Sequence, residues 1–365
     1  MTNVRHLTSK ARHPRRGAAS GETLRAWRVH RYGSPQEALV LDEIPVPEPG
    51  PGQVRVAVAA TVLNFNDIDG CYGRYRTVNP PLPYTAGMEV TGRVDAAGAG
   101  AEAWLGRRVV ACPDGAHGGY AEYALAPADM TFDAPESLDE RGAAAFYYPF
   151  HVSHLALHER ARLEAGENVL VHSAAGGVGS AGLQLAKAAG ARVFATAGSP
   201  EKAAFCRELG ADVAIDYRSE DFAEAVLDAT GGAGVDVVLD LVGGDVTRQS
   251  FRCIARNGRH VIAGFSSGIE AEDTGIEPRP IIFGSFALLG IILAYTSAPL
   301  QVKRATGFNL VPREVGEATH AHLLALLAAG EIRPVVGRCV AFEEVPEALE
   351  ALERRETTGR TVVRL

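Results

Sequence analysis

The chain has 365 residues, more than one ordinary core holds, so two domains are expected. Hydrophobic residues make up 47% and charged residues 22%, the balance of a soluble globular enzyme. A net charge of −8 leaves no broad cationic face for phosphate backbones, so no nucleic-acid partner is expected. No apolar run reaches the length of a membrane span. The nearest, "IIFGSFALLGIILAY", is interrupted by Gly284 and Gly290 and reads as a buried strand with its flanking loop. The five cysteines never fall in a CxxC pair, which fits reduced thiols in the cytoplasm better than a disulfide framework or a zinc knuckle.

The first 22 residues carry Arg5, Lys10, Arg12, Arg15 and Arg16 with no acid before Glu22. That is the composition of a transit segment or of a disordered basic tail; the tail reading is adopted. Residues 23–150 read as short strands punctuated by Pro and Gly, among them "QVRVAV", "GRRVVAC" and "GGYAEYALA", the pattern of a small irregular β-barrel. Over residues 151–299 apolar strands alternate with helices: "ENVLVHS", "RVFATA", "VAIDY", "VDVVLDLVG" and "GRHVIAGF" are separated by helical segments. Near-continuous apolar strands in βα alternation predict a doubly wound parallel sheet, an α/β fold. Residues 300–365 hold two helices and a last strand, "RTVVRL", which cannot form a domain alone and is expected to return to the barrel half.

The densest glycine signal is "VLVHSAAGGVGSAGLQLAKAAG", where Ala174-x-Gly176-x-x-Gly179 follows a strand and opens a helix. Such a turn brings backbone close to a dinucleotide diphosphate at a helix N-terminus, and a Cβ at the tightest points would obstruct it. Ala174, Gly176, Gly177, Val178 and Gly179 are therefore assigned to cofactor binding. An NAD site places an acid at the end of the second strand; here Ala197 and Gly198 stand in its place. Ser199 and Lys202 follow, and Tyr217 and Arg218 end the third strand. A missing carboxylate with a lysine beside it predicts a 2′-phosphate, so NADPH is expected over NADH.

These residues resemble the medium-chain dehydrogenases and reductases, in particular the zeta-crystallin-like quinone oxidoreductase branch. The resemblance spans Leu24 to Leu365 and rests on "VLNFNDIDG", "PYTAGMEVTGRV", "GGYAEYALA", the glycine turn, "GADVAIDY", "VDVVLDLVGG" and "TGRTVVRL". It implies a GroES-like β-barrel catalytic domain split around a Rossmann domain. Zinc enzymes of that superfamily carry Gly-His-Glu where this chain has Gly87-Met88-Glu89, and a cysteine where it has Asn64-Phe65-Asn66-Asp67. A thioether and an amide are poor zinc ligands, so no metal is expected. The resemblance implies Asn64 beside the nicotinamide, Asp67 orienting its loop, Gly264 and Phe265 walling the pocket, and Arg360 reaching the cofactor from the closing strand. The family's usual Tyr is replaced by Asp69, and Tyr75, Tyr147 and Tyr148 are alternative phenols, Tyr75 being the one assigned to the site. The implied activity is hydride transfer from NADPH to a quinone. Enone or enoyl-thioester reduction is the alternative, and non-catalytic NADPH binding, structural or RNA-directed, is a third. A homodimer is implied through the apolar sheet edge around "FALLGIILAY", with a tetramer as the alternative.

Overall fold

The structure is a computed structural model that describes residues 21–75, 78–267, 269 and 275–365; the expected basic tail, apart from Gly21 and Glu22, lies outside the described residues. Six strands form one all-parallel sheet. In spatial order they are Val213–Asp216, Arg192–Ala197, Asn168–Val171, Val235–Asp240, Ile254–Ile262 and Ala287–Gly290. This is strand order 3-2-1-4-5-6, with the topological switch beside Asn168–Val171, where α/β sheets bind ligands outside the strands' carboxyl ends. Val169, Val171, Val193, Val237 and Leu239 are fully buried because helices cover both faces.

A second, mainly antiparallel sheet orders Val336–Ala341, Arg360–Arg364, Gln53–Val62, Val90–Ala97, Arg108–Ala111 and Thr131–Asp133, with Tyr123–Pro127 also pairing Gln53–Val62. The last strand thus returns to the first half of the chain: Val362, Val363 and Arg364 lie opposite Val62, Thr61 and Ala60. The return is late. The helix Arg313–Ala328 runs over the helix Tyr147–His154, and Leu323 and Ile332 enter the apolar core under the parallel sheet. Only from Val336 does the chain rejoin the barrel sheet.

The segment read as a buried strand is corrected. Pro278–Gly284 is a short helix with Ile282 69% and Phe283 81% exposed, and Ala287–Gly290 is the sheet's edge strand, half-buried at most. An edge has a neighbour on one side only, so apolar sequence alone could not bury it.

The two halves meet at the glycine turn. Gly359, at φ +62°, donates its N–H to Ala175 O at 2.8 Å and bridges Gly176, and Leu63 N–H reaches Thr361 O at 3.1 Å. The strand that closes the barrel therefore starts on the turn that opens the first Rossmann helix.

Candidate active site

The strand Asn168–Val171 ends in the turn His172–Gly176, and the helix Gly177–Ala188 starts with Gly176 as its N-cap. Ser173 takes a left-handed φ of +52° to make the turn. A Cβ on Gly179 would lie 2.2 Å from Ser173 O and 2.7 Å from Ala174 Cα, so the helix sits on the turn's backbone only because that residue is glycine. A Cβ on Gly182 would lie 2.4 Å from Leu239 Cδ2, which is the close helix–sheet packing expected there. Val178 packs its partly buried side chain on the same core, and Ala174 is fully buried. Three backbone features therefore coincide: a tight turn, a helix N-terminus and open carboxyl ends of strands.

At the end of the second strand Ser199 caps the helix Pro200–Glu208, accepting from Lys202 N at 3.2 Å. A Cβ on Gly198 would meet Tyr217 Oη at 2.7 Å, so the phenol lies over the glycine that stands where an acid was missing. Lys202 Nζ donates to Arg355 O at 2.6 Å. Burial, then the nearby Arg218 and Arg355, lower the Lys202 pKa. Three cations thus converge with no ion-pair partner among the described residues, the electrostatic signature of an anion subsite, and the Glu201 carboxylate bonds Ser199 at its edge. Sequence reasoning missed Arg355. In "ALERRETTG" it looks like one more surface charge, and only its left-handed φ of +59° and the fold bring it to Lys202. Its Nη2 also reaches Ser266 O at 3.4 Å, in the loop that carries Gly264 and Phe265. That loop lies against Leu241 and Gly243 at the end of the fourth strand, and Phe265 is 42% exposed.

The third group faces the turn from the barrel. Asn64 caps the helix Phe65–Tyr72, its N–H held by Asp67 Oδ2 at 3.0 Å, and the same oxygen accepts from Tyr120 Oη at 2.5 Å. Burial pushes the Asp67 carboxyl up to about 7, against the opposing pull of those two hydrogen bonds. Arg360 donates from Nη1 to Asn64 Oδ1 at 2.9 Å and is ion-paired through Nη2 to Glu89. Asn64, Glu89 and Arg360 are all under a tenth exposed. Arg360 turns its guanidinium toward the barrel cluster while its stem crosses the glycine turn: a Cβ on Gly177 would lie 2.3 Å from Arg360 Cδ. Tyr75 is half-buried and accepts from Asn66 Nδ2 at 3.4 Å, with the half-buried Tyr148 beside it.

Two family models match the chain. Residues 50–136 match the alcohol dehydrogenase GroES-like domain and residues 177–306 the zinc-binding dehydrogenase domain. The quinone oxidoreductase of Rattus norvegicus is 31% identical over 336 residues, covering 91% of this chain and 95% of the rat protein. The chain belongs to the quinone oxidoreductase family of medium-chain dehydrogenases and reductases. Among solved members of this superfamily, the Escherichia coli quinone oxidoreductase complexed with NADPH superposes with a TM-score of 0.80 at 29% identity, covering 93% of this chain and all of that one. The JamJ enoyl reductase, solved in its apo form, superposes with a TM-score of 0.79 at 25% identity, covering 94% and 99%. The family thus has the GroES-like and Rossmann parts described above.

The zinc in one family model's description is not matched by donors. Met88 offers a buried thioether and Asn64 an amide, and among the described residues no group of three or more His, Cys, Asp or Glu is placed to hold a metal ion. These side chains do not fit zinc. A dinucleotide fits better, because the turn opens a helix N-terminus and cations stand beside the acid-free end of the second strand.

Proposed function

We propose that this quinone oxidoreductase family member is an NADPH-dependent reductase that passes a hydride to a quinone without zinc. The observation that carries the reading is the convergence of Lys202, Arg218 and Arg355 beside the acid-free Ala197–Gly198, at the ribose end of the glycine turn. Gly176 to Gly179 and the helix N-terminus hold the diphosphate; Ser199, Lys202, Tyr217, Arg218 and Arg355 hold the 2′-phosphate. Gly264 and Phe265 wall the nicotinamide, and Asn64 stands at its reacting end. NADPH, when bound, supplies a hydride from its nicotinamide C4, and a quinone takes it at carbon while its oxygen takes up the charge. Such an acceptor needs orientation more than a Lewis acid. Asn64 orients, Asp67 fixes the Asn64 backbone, and Tyr75 lines the acceptor side.

The same site suits an enone or enoyl thioester, and the likeness to an enoyl reductase favours keeping that second reading. Pairing of two copies through the edge strand Ala287–Gly290, flanked by exposed Ile282, Phe283 and Ile292, makes the homodimer. No helix among the described residues is long and apolar enough to cross a membrane. A cytoplasmic setting is supported by five unpaired cysteines.

The test is NADPH oxidation by the purified chain with 1,4-benzoquinone, 9,10-phenanthrenequinone, an enone and a crotonyl thioester, with NADH as control. Quinone turnover with NADPH alone supports the proposal. Turnover confined to the enone or thioester moves it to alkene reduction. Tight NADPH binding with no turnover supports a non-catalytic role instead.

A further inference from the structure

We propose that Arg360 is a positioning residue that locks Asn64 to the glycine turn, so that the phosphate cradle and the reacting end of the site are held as one piece. This rests on the reading of Asn64 as the residue beside the nicotinamide. Arg360 follows Gly359, whose N–H is tied to Ala175 O, and its stem lies over Gly177. Gly177 is therefore glycine at least in part to let this arginine pass. At the far end the guanidinium divides between two acceptors on two barrel segments, Asn64 Oδ1 and the Glu89 carboxylate.

The chemistry of the fork sets a direction. A guanidinium has donors only, so the Asn64 amide must turn its oxygen to Arg360, and its Nδ2 is the part left for another acceptor. Nδ2 makes no hydrogen bond of good geometry among the described residues, although the Glu89 carboxylate stands near enough to feel the Asn64 side chain. Glu89 Oε2 and Arg360 Nε share that state, so three of the eight buried side-chain polar atoms without a described partner sit in this one cluster. Buried polar atoms are rarely left open by chance, and such a concentration marks a place completed by a ligand or its water. Stability alone does not explain the pair. A buried ion pair is often no better for stability than an apolar pair of the same volume, whereas it does fix geometry. Lysine would not replace it, since one ammonium on a flexible stem lacks the planar fork that reaches two acceptors at once.

The test uses the full chain and four variants: Arg360→Lys, Asn64→Ala, the double variant of these two, and the charge-neutral pair Glu89→Gln/Arg360→Met. The readouts are kcat, NADPH affinity and the emission of bound NADPH. Arg360→Lys is expected to lower kcat about 10-fold while NADPH affinity moves less than about 3-fold, the pattern of a lost interaction at the reacting end. The double variant is expected to be no slower than Asn64→Ala alone, within about 2-fold, because Arg360 acts through Asn64. The neutral pair removes the buried charge, so it should fold even if Arg360→Lys does not, and it should show the same kcat loss and the same change in emission. Multiplying effects in the double variant, or wild-type kcat and emission in Arg360→Lys or the neutral pair, would overturn the inference and leave the NADPH reading standing. Failure of the wild-type chain to bind NADPH would overturn both.

Discussion

Replacing the glycines of the turn one at a time separates its packing role, holding the helix on the sheet, from the ligand role proposed for it. At Gly179 an added Cβ meets backbone, Ser173 O at 2.2 Å and Ala174 Cα at 2.7 Å. Backbone cannot rotate away, so the helix Gly177–Ala188 or the turn must move by roughly 1 Å to restore ordinary contact, an overpacking strain of about 1–3 kcal/mol. The moving part is the helix N-terminus itself. Gly179→Ala is therefore expected to lower Tm by several degrees and to weaken NADPH binding by at least about 10-fold, or ~1.4 kcal/mol. At Gly176 the nearest atoms are Ser173 O at 3.2 Å and its Oγ at 3.4 Å, with φ at −80°, which alanine adopts freely. Gly176→Ala should leave Tm within the range of a neutral substitution, about 0.5 kcal/mol, yet still weaken NADPH, because its methyl stands in the open face of the turn. Scanning calorimetry gives the first quantity and fluorescence titration with NADPH the second. A Gly179→Ala protein with wild-type Tm and affinity would refute the steric argument, and a Gly176→Ala protein with wild-type affinity would refute the placement of the diphosphate.

Three further outcomes follow from the same geometry. Lys202→Met and Arg355→Met should each cut the preference for NADPH over NADH by roughly 10-fold, since each removes a charge-assisted contact worth about 1.5–3 kcal/mol, with NADH kinetics little changed; equal losses with both cofactors would remove these residues from the 2′-phosphate. Acid should destabilise the fold. Burial lowers His154 to about 3 and His172 and His320 to about 4, each from an ordinary 6.5. The unfolded chain therefore binds these protons first, and stability present above pH 6.5 is lost as pH falls toward 4, at ~1.4 kcal/mol per pH unit for each histidine. Asp67 acts in the opposite sense: held up to about 7, it stabilises below pH 4 and loses that contribution as pH rises through 7. Glu89, raised by its burial, acts in the same sense as Asp67, but the lowered histidines outnumber these two carboxyls, so denaturant midpoints should fall from pH 6.5 to 4, and His320→Gln should shallow the slope by about one proton. A flat profile over that range would contradict the burial of these rings. Phe283→Asp, on the exposed face beside the edge strand, should yield a monomer by light scattering if two copies pair there; an unchanged mass would place the interface elsewhere.

Much of this was legible in the chain itself. Strand and helix alternation after Phe150, the glycine spacing and the empty acid position at Ala197–Gly198 are local patterns, and local patterns set backbone geometry wherever the side chains concerned act through their own turn or strand. What tertiary structure decided are contacts between residues far apart in sequence. Arg355 reaches Lys202 across 153 positions and Arg360 reaches Asn64 across 296, and no periodicity encodes either. The apolar run ending at Tyr295 could not reveal that it lies at a sheet edge, because burial depends on which strand comes next to it and not on its own hydropathy. The tight turn and the missing acid were local features of the sequence; the fold decided which distant arginines stand beside them, because only folding brings the closing strand onto the turn.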